Sequence, residues 1–130
     1  MDFIDNAITS DPNNAVLYDI KGFTAELQEG EDAAMPFYEK AIAVDPTYAN
    51  AYSDAARCLI SKAKQIEDAN PNLTNDQLLP LVQPLFDKAI PLLEKALELN
   101  PEVPNAQSLL DNVRYWLVEI MHLKQYAPKN

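Results

Sequence analysis

The sequence predicts an all-α fold, a stack of antiparallel helical hairpins with one elongated hairpin and a terminal capping helix. Three observations carry that expectation. Only two glycines, Gly22 and Gly30, serve 130 residues, while Ala, Leu, Glu, Lys and Gln fill the stretches between Pro and Asn clusters, a composition that favours helix. A phrase built of small, branched, acidic and proline positions recurs as NAITSDP at 6–12, KAIAVDP at 40–46 and KALELNP at 95–101. Its landmarks move together: Ala7 to Ala41 and Pro12 to Pro46 each span 34 residues, and Ala41 to Ala96 and Pro46 to Pro101 each span 55, which is 34 plus an insertion of 21. A fixed internal period of this kind is the mark of a repeat architecture.

The elements follow in order within one domain, 1–130. Residues 2–10 match only the last turns of a second hairpin helix, with Ile4 and Ala7 where Tyr38 and Ala41 sit later. A start in mid-repeat is expected of a segment cut from a longer array. The first full unit spans 13–45. Its first helix carries Tyr18, Gly22 and Ala25 at i, i+4, i+7, its second Ala34, Tyr38 and Ala41. Small residues let the two helices approach and large ones fill the groove between them. Asn13 or Asn14 and Thr47 are the expected caps of successive first helices, and Pro36 is placed in opening turns where a missing amide costs least.

The second unit, 47–100, repeats the pattern as Tyr52, Ala56, Leu59 and Ala89, Leu93, Ala96. Its apolar spacing runs on through Ala63 and Ile66 to about Ala69, NPNLTND makes the turn, and Thr74 with Gln77 spells a capping box. Seven to ten extra residues per arm project the hairpin roughly 10 to 15 Å beyond its neighbour. The second arm, 78–97, is apolar almost all round, and Pro80, Pro84 and Pro91 share one side of it, so it bends with the prolines outward. Two readings stand for this arm: a curved helix covered by its partner arm and the last helix, or a docking surface for another protein or a second copy. Residues 104–126 form a final helix opened by Pro104. Its inward stripe is Ala106, Leu109, Leu110, Val113, Leu117, Ile120 and Met121, flanked by Trp116 and Leu123, with Tyr115, Val118 and Tyr126 outward.

With the small-large-small stripes and the Asp-Pro stops at one period, the chain resembles the tetratricopeptide repeat (TPR) family over nearly its whole length. The resemblance implies a right-handed α-α superhelix, with Lys21 standing where the family usually has a leucine and Gly30 one residue later than the usual turn glycine. It further implies non-catalytic binding of a protein or an extended peptide along the concave surface lined by the first helices of each unit, the work of a scaffold or adaptor. Residues expected on that surface are Asp19, Phe23 and Glu26, then Ser53, Arg57 and Ile60, then Ser108, Asn112 and Tyr115, each trio advancing by four and three along one helical face. Phe23, Arg57 and Tyr115 are of the types that most often carry binding energy, although Arg57 has a plain alternative in pairing with Asp54 or another acid. The Lys and Asn set with which some family members hold a terminal carboxylate is missing, and Asp19 and Glu26 favour a basic or apolar partner over an acidic one. Self-association through 78–97, giving a homodimer, is the alternative role.

Composition narrows the remaining classes. A net charge of −10, from 20 acidic and 10 basic residues spread along the chain, repels phosphate backbones and anionic lipid, so no nucleic-acid partner is expected. No run is long and apolar enough to suggest membrane insertion. The expected setting is soluble and by default cytoplasmic, with an export signal upstream of Met1 left open. Cys58, the lone cysteine, reads as a small buried hydrophobe. Glu119 and His122 spell one Glu-x-x-His, half of what a helical di-iron site needs, and His122 is the single histidine, set opposite the inward stripe and so expected to be solvated. No nucleophile–histidine–acid set or glycine-rich phosphate loop can be assembled, and Glu94 with Glu98 reads as a solvated pair. No enzymatic activity and no cofactor are expected.

Overall fold

A computed structural model describes residues 2–121, and among them every regular element is a helix: α1 (Phe3–Ser10), α2 (Ala15–Glu29), α3 (Glu31–Val44), α4 (Ala49–Ala69), α5 (Asn75–Leu99) and α6 (Ala106–Met121). The packing is pairwise and sequential. Helix α2 lies on α3 and α4 on α5, the pairs meet through α3 and α4, and α1 and α6 cover the two ends. No helix among them is long and apolar enough to cross a membrane.

The recurring phrase makes the same joint three times. The amides of Asp11, Asp45 and Asn100, the C-caps of α1, α3 and α5, donate to the carbonyls of Ala7, Ala41 and Ala96 at 2.9, 3.0 and 2.9 Å. Ala41 and Ala96 are both fully buried. The likeness extends to the next helix, where the Tyr18 hydroxyl donates to the Pro12 carbonyl at 2.7 Å and the Tyr52 hydroxyl to the Pro46 carbonyl at 2.8 Å. A side-chain bond reproduced at an offset of 34 residues means that the two turns, and the tyrosines beside them, are held alike.

Caps follow local chemistry, with one departure. Asn14 caps α2, its side chain accepting from the Val16 amide at 3.1 Å. Thr47 does not cap α4: its hydroxyl donates to Asp45 Oδ1 at 2.7 Å, and Tyr48 occupies the cap position without a side-chain bond. The Asp45 carboxylate takes the hydroxyl that capping would have turned toward the helix amides. Thr74 and Gln77 form the complete capping box of α5. Gly30 joins α2 to α3 at φ 97°, a conformation that side chains with a Cβ resist. With the helix beginning directly after it, Pro36 is the sixth residue of α3 and lies beyond the first turn. Helix α6 starts at Ala106 rather than at Pro104, because Asn105 turns the chain at φ 70°. The expected continuation to 126, with His122, Leu123 and Tyr126, lies outside the described residues.

The inserted residues lengthen α4 to 21 residues and α5 to 25, against 15 and 14 for α2 and α3. The added length carries its own core. Ala63, Leu78, Val82 and Phe86 pack with Val113, Leu117 and Ile120 of α6, Phe86 meets Trp116 edge-on at 4.8 Å, and the Trp116 indole donates to Glu67 at 2.7 Å. Pro80, Pro84 and Pro91 are exposed, as their shared side requires. Leu81 is the large apolar side chain of α5 left most open, at 46 % exposure.

Gly22 shows how the pairs differ. A Cβ there would stand 2.6 Å from the ring of Tyr38, which is fully buried, whereas the second unit sets Ala56 against the smaller Leu93. Gly22→Ala is therefore expected to destabilise by about 1–2 kcal/mol in denaturant titration, overpacking outweighing the gain in helix propensity. A stabilised variant would show that the ring slides aside freely.

Candidate functional site

The first helices of the two pairs, α2 and α4, bring Asp19, Phe23, Glu26 and Arg57 together. Glu26 and Arg57 form a two-pronged ion pair, Nη1 to Oε2 and Nη2 to Oε1, the latter at 2.9 Å. Bidentate pairing uses the fixed fork of the guanidinium, which makes it directional as well as strong. Two more donors reach Glu26 Oε1, the Tyr38 hydroxyl at 2.9 Å and the Cys58 thiol at 3.3 Å. Arg57 Nη2 also lies 3.3 Å from the Tyr38 hydroxyl and 3.7 Å from Asp54. Phe23 covers the guanidinium, its ring centre 5.9 Å from Arg57 Cζ.

Burial sets the electrostatics here. Desolvation alone would raise the Glu26 carboxyl, but bonds from Arg57, Cys58 and Tyr38 and the Arg57 charge more than offset it, so Glu26 titrates below the ordinary range. Desolvation and the neighbouring Glu26 carboxylate push the Cys58 thiol and the Tyr38 phenol upward, keeping both protonated. Asp19 behaves oppositely to Glu26. Burial first, then the facing Asp54 carboxyl, push it up to about 8, against the smaller opposing effects of the Tyr48 hydroxyl and Arg57. The Tyr48 hydroxyl donates to Asp19 Oδ2 at 3.3 Å, while buried Oδ1 finds no ordinary donor. Held neutral, the Asp19 carboxyl could donate from Oδ1, the atom that otherwise lacks a partner.

The expected surface thus divides. Phe23 is half exposed and Tyr115 more so, and Asn112 is exposed on α6. Ser53 is buried, donating to the Pro104 carbonyl at 3.2 Å, and Ile60 packs into the two larger apolar clusters, so neither faces an open groove. Ser108 is exposed and bonds back to Asn105. Arg57 is occupied by Glu26 first and Asp54 second. Sequence reasoning assigned Tyr38 and Cys58 to packing alone and passed over Tyr48; the small-large-small pattern reports which side chains are inward and says nothing of where a hydroxyl ends. On the other side of α4, Met35, Ile42, Tyr52, Leu59 and Leu92 line an apolar trough of about 530 Å³, with Glu39, Lys88 and Lys95 at its edge. No group of three or more His, Cys, Asp or Glu among the described residues could hold a metal ion. No protein-family model matches the chain, and no curated protein does.

Proposed function

We propose that the helix pairs are TPR-like units of an α-α superhelix and that the protein is a non-catalytic scaffold, binding an extended peptide across the faces of α2, α4 and α6. The observation that carries this reading is the repeated joint, Tyr18 to Pro12 and Tyr52 to Pro46, with Ala41 and Ala96 equally buried. Units held alike present their first helices at regular spacing, and a regular row of helices suits an extended ligand. Phe23 and Tyr115 are the aromatic side chains left open to such a ligand, with Asn112 beside Tyr115 as a polar contact. Because Glu26 is neutralised by Arg57 and Asp19 holds a proton near neutrality, selectivity for basic over acidic peptides is weaker than two free carboxylates would give, and apolar contact dominates.

Selection from a displayed library of random peptides tests this. Extended, apolar or mildly basic sequences are expected to be enriched and to lose binding at least about tenfold on Phe23→Ala with Tyr115→Ala, a change of about 1.4 kcal/mol. No enrichment, or enriched peptides indifferent to that variant, would remove the function from this face. Peptides that are acidic and lost instead on Lys88→Glu with Lys95→Glu would place it in the trough between α3 and α5.

A further inference from the structure

Helices α3 and α5 each pack on α4 with no close backbone approach to one another, which leaves the apolar trough of about 530 Å³ between them. That volume lies within the roughly 300–1,000 Å³ of small-molecule sites. The trough is elongated. Met35 and Ile42 on α3, Tyr52 and Leu59 on α4, and Lys88 and Lys95 on α5 all line it at i and i+7, so each helix offers it two turns, about 10.5 Å. Tyr52 and Leu59 are buried, and Met35, Ile42 and Leu92 half-buried.

Charge is confined to the rim. Lys88 is exposed, and its helical neighbours at i±3 and i±4 are Pro84, Leu85, Pro91 and Leu92, so no acid of α5 stands beside it. Among the described residues it joins no ion pair. Lys95 pairs with Glu98 at 3.5 Å, and Glu39 stands on the α3 side. Two cations and one carboxylate give the rim a net charge of +1 in a chain of net charge −10. Such a rim matches a single negative charge, whereas a partner carrying several would meet the surrounding excess of carboxylates. We propose that the trough binds a medium-chain aliphatic carboxylate, with its head group on Lys88 and its chain laid along Leu92 toward Lys95. An extended chain of C–C bonds advances about 1.25 Å per bond, so two helical turns take about eight carbons. The apolar lining removes that chain from water, and the ammonium fixes which end is the head.

Calorimetric titration of the 130-residue chain with octanoate is the test, with 1-octanol, octylamine and acetate as comparisons. Octanoate is expected to saturate one site below about 1 mM, octylamine to bind at least about tenfold more weakly, and acetate not at all. Lys88→Gln with Lys95→Gln should weaken octanoate at least about tenfold while leaving 1-octanol and helicity unchanged. Glu39→Gln should tighten octanoate by about twofold to threefold, the effect of one exposed like charge. No saturation, octylamine bound as well as octanoate, or octanoate indifferent to the lysine variant would each overturn the inference. So would a trough that ignores octanoate yet holds acidic peptides through both lysines, which would make it a protein-docking groove. Phe23→Ala with Tyr115→Ala alters no residue of the trough, so failure here and failure of peptide binding are separately visible.

Discussion

Replacing Arg57 by Met is expected to cost about 3 kcal/mol at pH 7, because Glu26 stays behind as a buried carboxylate without its cation. Its remaining donors, the Tyr38 hydroxyl and the Cys58 thiol, are neutral and cannot supply the lost charge. The acid limb of the stability curve should change sign at this site. In the parent, Glu26 titrates below its ordinary value, so its contribution is present above the unfolded pKa and is lost as pH falls through the folded one. In Arg57→Met, burial acts unopposed by a cation, the folded pKa lies above the unfolded value, and protonation on acidification restores part of the stability. Denaturant midpoints at pH 7 and pH 4.5 distinguish the two slopes. Glu26→Gln with Arg57→Met should recover most of the loss, since both charges then leave together. A cost below about 0.5 kcal/mol for the single change would mean that the pair is no stronger than a surface ion pair.

Asp19→Asn should raise stability, by about 2 kcal/mol at pH 8 and by little near pH 4. The folded pKa of about 8 lies above the ordinary 3.8, so the native state holds a proton that the unfolded chain releases between those values. Stability from this group is therefore complete below about pH 4 and is lost as pH rises toward and through 8. The groups that face Asp19 are Tyr48, Asp54 and Arg57, with Glu26 beyond Arg57. An amide at position 19 keeps the shape, accepts from Tyr48 and donates toward Asp54, without a charge to bury. Thermal unfolding of parent and variant from pH 4 to pH 9 should show parallel curves in acid that separate in mild base. Parallel curves throughout would place the proton elsewhere.

Both expectations concern residues that sequence reasoning had already set on one face of α2 and α4. Spacing put Asp19, Phe23 and Glu26 on one face of α2 and Arg57 on one face of α4, the family resemblance implied that both faces meet one surface, and the structure gathers the four side chains. Their occupation was not legible. Pairing Arg57 with Glu26, 31 positions away, depends on how far α2 and α4 approach, and Asp54 at i−3 was the nearer candidate along the chain. Thr47 differs in that its departure is local, the hydroxyl donating to Asp45 two positions back instead of accepting from the first amides of α4.

Among the described residues, the order of the helices, their packing in pairs, the long α4–α5 hairpin and the Thr74–Gln77 box were readable from the chain alone. Each depends on backbone periodicity and on contacts within a few residues, which a linear spacing records directly. Tertiary structure alone decided the rest: which acid neutralises Arg57, that Asp19 is buried against Asp54, that the Tyr38 ring fills the space beside Gly22, and that the more exposed apolar side chains lie on α2 rather than on the long α5. Those outcomes depend on desolvation and on distances between helices far apart in sequence, where shifts of an ångström choose between an ion pair, a shared proton and a clash.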